Sequence, residues 1–213
     1  MLEYKRNQVE EAISHLLEPT SPHPTQTLRT KVKRLLEADR ALQAAGDANG
    51  GKFAFFSAEP PGRGVEIWFS SYEALALLTG LRLMAHGWPQ GQVVSVMRSV
   101  RSVLEEEHRR ILRHDPNWLF DQQAILKNAR PGDHAFDNQD PLLLTIVSGA
   151  TDRSGQGASP ACKICRGPVA AHAFFHQVSA MSGALTLFEL TTSAHRLAGA
   201  LAKTEPLSRG RGH

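Results

Sequence analysis

Two sets of residues in this 213-residue chain have types and spacing that could do chemistry. The first is Cys162-Lys-Ile-Cys165, followed by His172 and His176. Two thiols and two imidazoles are the ligand types of tetrahedral zinc. The gap from Cys165 to His172 is six residues, where a zinc finger usually has about 12 or more. Gly167-Pro168 in that gap would allow a tight turn. The competing reading is ordinary core, because Cys162, Ile164 and the apolar run 169–175 also suit a strand and a helix. The expectation is therefore no metal and no cofactor, with zinc on these four residues as the alternative.

The second set is basic and lies in Thr27 to Ala45. At about 100° per residue from Leu28, Arg29, Arg40 and Lys33 fall at about 100°, 120° and 140°. Thr30 and Arg34 extend this polar face. Such a stripe suits phosphate contacts, and arginine also reads guanine edges. Arg63, between two glycines in a turn-rich segment, is placed to join it. Against this reading, a basic solvated helix face is common, and Glu37 dilutes this one. Asp39 points toward the apolar side.

Signals for an enzyme are thin, and none is expected. The chain has neither a P-loop nor a Gly-x-Ser-x-Gly elbow. Asp133-His134 with Asp137 could form an acid–base cluster, but a solvated loop is the plainer reading. Ser148-Gly-Ala and Asp152-Arg-Ser-Gly-Gln-Gly157 could cradle an anion or simply connect.

These residues must be positioned by a sizeable fold. The charged fraction is 21% and the hydrophobic fraction 41%. That composition excludes collagen, coiled-coil rods and wholesale disorder. The length allows one large domain or two small ones. Val9, Ala12, Ile13, Leu16 and Leu17 place one apolar face on a helix over Glu3 to Leu17. Pro19, Pro22 and Pro24 break it. The second helix, about 27–45, buries Leu28, Val32, Leu35, Leu36 and Leu42. Phe53–Phe56 and Val65–Phe69 then read as a β-hairpin with a long loop.

Ser70 or Ser71 caps a third helix to about His86, with Glu73 near its positive end. That helix is apolar nearly all round, which suits a central place in the core. A fourth helix, Pro89 to His114, has a seam of Val93, Met97, Val100, Leu104, Glu107 and Ile111. Glu105–Arg109 and Glu106–Arg110 should pair along its surface. Beyond Asp115, a short helix is expected over Leu119 to Asn128. Strands are expected at 142–147, 161–165 and 184–188, and helices at 168–180 and 189–202. The alternation suggests a small α/β unit over 116–207, with a mobile tail over 208–213.

Ile67 to Phe69, Leu75 to Met84, Gly87-Trp88 and Val93 to Met97 together form a recognisable pattern. An aromatic strand leads into a Leu-rich helix, a glycine–aromatic turn and a second amphipathic helix. This pattern resembles the wing and following helix pair of MerR-type regulators. Thr27-Leu-Arg29 resembles the start of that family's recognition helix. The resemblance implies an α+β chain with a winged helix-turn-helix over 1–115. It implies a recognition helix over about 27–45, a wing over about 53–69 and a double-stranded DNA partner. It also implies a cytoplasmic transcriptional regulator, paired as a homodimer through the helix at about 89–114. Paired half-sites would then lie about one DNA turn apart. Arg29, Thr30, Lys33, Arg34, Arg40 and Arg63 would meet phosphates or bases. The seam could equally pack within one chain.

Charge alone does not name a partner. The chain has 24 basic and 21 acidic residues. Residues 1–115 hold 15 and 14 of them, a balance of +1. DNA binders are usually more lopsided. A protein-interaction adaptor on the same fold therefore stays open. No apolar run approaches the roughly 20 residues of a membrane span, and the N-terminus does not read as a signal peptide.

Overall fold

The apolar spacing of the first half produces helices where it should, but the strands pair in an unexpected way. The computed structural model describes residues 3–44, 53–58, 66–114, 127, 141–148, 160–178 and 183–206. The first strand, β1 (Glu3–Lys5), leads into α1 (Arg6–Leu17) and α2 (Gln26–Ala44). Next come β2 (Trp68–Ser70), α3 (Ser71–Ala85) and α4 (Gln90–Ile111). The remaining elements are β3 (Leu142–Ser148), β4 (Ala161–Arg166), α5 (Gly167–Val178), β5 (Ala184–Glu189) and α6 (Thr191–Leu201). The class is α+β, with six helices and two antiparallel sheets among the described residues. The chain forms two compact units, Met1–Arg101 with Arg196–His213, and Ser102–His195. The division falls inside α4 rather than at Asp115.

In the first unit, α1, α2 and α3 pack on one another. The turn between α1 and α2 is fixed by Glu18, which accepts hydrogen bonds from Thr25 N (3.3 Å) and Oγ1 (2.9 Å). Thr25 Oγ1 in turn accepts from Leu28 N at 3.1 Å, which caps α2. Ser70 caps α3 in a reciprocal box: Glu73 N donates to Ser70 Oγ at 3.2 Å, and Ser70 N donates to Glu73 Oε2 at 2.6 Å. As its composition suggests, α3 is buried on nearly every side.

The hairpin expected from 53–56 and 65–69 does not form as read. β2 pairs with β1, with Tyr4 opposite Phe69. Phe53, Ala54, Phe55 and Phe56 are an irregular buried segment. Their backbone groups are taken by side chains instead of a partner strand. Ala54 N and Phe55 N donate to the Asp39 carboxylate. The carbonyls of Phe53 and Phe56 accept from Arg101. The wing over 53–69 is thus corrected at its first strand. The loop tip at 59–65, including Arg63, lies outside the described residues.

Gly80 interrupts an otherwise good helix for a reason of space. A Cβ there would sit 2.8 Å from Leu35 Cδ2 and 3.2 Å from the Phe55 ring. Both neighbours are fully buried. Overpacking costs about 1–3 kcal/mol, against about 1 kcal/mol of regained helix propensity. Gly80→Ala should therefore lower the melting temperature by roughly 2–4 °C. A rise on thermal denaturation would contradict the close packing of α2, α3 and the 53–56 segment.

In the second unit, β3 is the middle strand of the order β4-β3-β5, and both pairings are antiparallel. Leu142 to Val147 are all buried, as the continuous apolar run implies. β4 and β5 are therefore parallel to each other, flank β3 and are joined through α5. The β-α-β alternation read from the sequence is present, with β3 inserted between its strands. α5 packs on β3 and β4 through Leu143, Cys165, Ala171 and Phe174.

Candidate nucleic-acid interface

The capped start of α2 and its apolar stripe decide which of its side chains reach solvent. Leu28, Val32, Leu35 and Leu36 are buried, and Leu42 is half-buried. Asp39, expected on the apolar side, is completely buried. It accepts hydrogen bonds from Ala54 N at 3.0 Å, Phe55 N at 2.9 Å and Arg98 Nε at 2.8 Å. Arg98 also donates to the Asp39 carbonyl. This knot ties α2 to α4 and to the 53–56 segment, and so fixes the outward face of α2.

That face is basic. Arg29, Lys31, Lys33 and Arg34 are all exposed, and Thr30 is half-buried beside them. Thr30 Oγ1 donates back to Gln26 O at 2.8 Å, within the helix. Arg29 lies 4.0 Å from Glu10, and Lys33 lies 3.7 Å from Glu37. Lys33–Glu37 is an exposed pair, and pairs of this kind hold their partners weakly. Glu10 is buried and is held more closely by Arg6 at 2.7 Å, so Arg29 reaches it only at the edge. Among the described residues neither Lys31 nor Arg34 has an acidic partner within 4.0 Å. Arg34 contributes its carbonyl to Gln90 Nε2 and leaves its side chain in solvent.

Two of the expected contact residues stand apart. Arg40 is half-buried, with its guanidinium 5.3 Å from the Phe56 ring centre and its Nε buried. It lies at the angle of Arg29 and Lys33, but two turns later, where the 53–56 segment covers the helix. Arg63 lies outside the described residues. Lys31 was missed by the sequence reading. Its angle of about 300° borders the apolar stripe, but the first half of α2 has no neighbour covering that side chain.

The seam of α4 is used within the chain. Val93, Met97, Val100, Leu104 and Ile111 are all buried in the single copy, as is Glu107. Glu107 is held by Arg110 at 3.0 Å and by Arg166. The charged interruption of the seam is therefore a paired carboxylate. Glu106 pairs with Arg110 as the i, i+4 spacing implies.

The second unit buries a pair of histidines that the sequence reading passed over. His108 and His195 are both buried. Burial, then the charge of His195, then Arg109, lower the His108 pKa from 6.5 to about 4. His108 is thus neutral in the folded protein at neutral pH. The signal that could have found it is its position in α4, between the buried Leu104 and Ile111.

The four-ligand zinc set is not assembled. Cys162 and Cys165 lie three positions apart on one strand, opposite Ile146 and Leu143, and so on opposite faces of the sheet. They form no disulfide. Cys165 is core, packed with Leu143 and Ala171. His172 and His176 are exposed on α5, with their Nε2 atoms 3.0 Å apart. Among the described residues no group of three or more His, Cys, Asp or Glu could hold a metal ion. Asp133, His134, Asp137 and the 152–157 segment lie outside the described residues. No described helix is long and apolar enough to cross a membrane. No family model matches the chain, and no curated protein matches it.

Proposed function

We propose that the first unit binds double-stranded DNA through the outward face of α2 and that the chain acts as a cytoplasmic transcriptional regulator, without a catalytic role. The observation that carries this reading is the run of Arg29, Lys31, Lys33 and Arg34, exposed along one helix with Glu37 as its exposed acid. Neutralising phosphates releases counterions, so such a face binds duplexes in a salt-dependent way. Thr30 and Arg34 have the chemistry to select bases. Arg40 is better suited to holding α2 against Phe56 than to touching DNA. A homodimer through α4 would use its exposed positions, Ser99, Ser102, Val103, Glu106 and Arg110, since its seam is buried.

Arg29→Ala with Lys33→Ala should weaken binding to a fluorescent duplex on the order of tenfold. It should also flatten the plot of log affinity against log salt by about 2, since each phosphate contact contributes about 0.9. An unchanged slope would exclude Arg29 and Lys33 as phosphate contacts. Complete absence of duplex binding by the unaltered chain would favour the rival reading, a protein-interaction adaptor.

A further inference from the structure

His172 and His176 stand one turn apart on α5, and both rings are exposed. Residues four apart on a helix share a face. The Nε2 atoms are 3.0 Å apart, with ring centres at 4.3 Å. Metal–imidazole bonds are about 2.0–2.1 Å long, so two cis ligands stand about 2.9 Å apart at a right angle and about 3.3 Å apart at the tetrahedral angle. The observed separation lies between these two values. The edge of the Phe175 ring packs beside His176, with ring centres 5.7 Å apart. The 3.0 Å separation is also that of a hydrogen bond between the two rings. A bound metal ion would replace that hydrogen bond, with both rings already on one face of the helix and within chelating distance.

The geometry points to a bidentate site on α5 for a divalent transition-metal ion, ligated by His172 Nε2 and His176 Nε2 with the remaining positions open to water. Imidazole pairs favour copper, nickel and zinc over the hard cations calcium and magnesium, which want oxygen. Copper(II) should bind most tightly, in keeping with the general order of divalent affinities. The site differs from a structural zinc centre. It has no cysteine ligand and lies on the outer face of the helix, so binding adds to a fold already formed.

The test is a titration of the full chain with copper(II) near neutral pH, followed by electron paramagnetic resonance. One copper per chain should show coupling to two nitrogens. His172→Ala and His176→Ala should each weaken that site on the order of tenfold or more and remove the two-nitrogen signature. His15→Ala, at an exposed histidine on α1, should leave the site intact. Far-UV circular dichroism verifies that each variant folds, and the α5 surface changes should leave it unaltered. Equal copper affinity in both α5 variants and the parent would overturn the proposal. So would the absence of saturable binding at micromolar copper.

Discussion

Asp39→Ala should destabilise the first unit by about 3–5 kcal/mol, because it strips the counter-charge from a buried guanidinium. The Asp39 side chain is fully buried, and that of Arg98 is 2% exposed. The substitution also takes the acceptor from two backbone donors, Ala54 N and Phe55 N. A buried donor stripped of its acceptor costs about 1–3 kcal/mol. The effect should appear as a large fall in the urea midpoint with little change in slope. Asp39→Asn keeps much of the shape but not the charge, and should fall between the parent and the alanine variant. Replacing Asp39 and Arg98 together with Leu and Met should recover part of the loss, since apolar pairs often substitute well for buried ion pairs. A loss below about 1 kcal/mol for Asp39→Ala would mean that the knot does not hold α2.

Acid should weaken the second unit through His108. Its pKa is lowered to about 4 in the fold, against 6.5 when unfolded. Between those values the unfolded chain binds the extra proton and the folded chain does not. Stability from this group is therefore complete above pH 6.5 and is lost as pH falls toward about 4. The shift corresponds to about 3 kcal/mol across the window. Burial is the largest cause of the shift, and the positive charges of His195 and Arg109 add to it. Carboxylates titrate in the lower part of the same range, so the informative comparison is with His108→Gln. Urea midpoints between pH 7 and 4.5 should fall steeply for the parent and much less for that variant. Parallel curves would show that His108 is not buried neutral.

The helices were legible because each carries its own signal. The α1 and α2 faces follow apolar spacing, the α3 start follows Ser70 with Glu73, and the C-terminal strands and helices follow alternation and short apolar runs. β1 was not legible, since three residues have no periodicity and their partner is far away in sequence. Phe53–Phe56 misled for a related reason. Its aromatic content suits a strand, but the partners of its backbone are side chains of Asp39 and Arg101, on helices distant in sequence. The order β4-β3-β5 was hidden because alternation does not reveal a strand inserted between two others.

The candidate site was partly visible. Helical arithmetic placed Arg29 and Lys33 outward and Asp39 inward. It could not show that Phe56 covers Arg40 or that nothing covers Lys31. The cysteine spacing suggested a shared ligand set until the strand placed Cys162 and Cys165 on opposite faces. His108 and His195 are far apart in sequence, and only the fold brings them into one buried place.

The most direct test of the α2 interface is the affinity of the full chain for duplex DNA as a function of salt. With Arg29, Lys31, Lys33 and Arg34 each meeting a phosphate, log affinity should fall against log salt with a slope of about −3 to −4. Changing all four to Ala should bring that slope close to zero while circular dichroism shows the helices intact. A parent slope near zero, or the same slope in the four-fold variant, would contradict the assignment of α2 as the DNA-contacting helix.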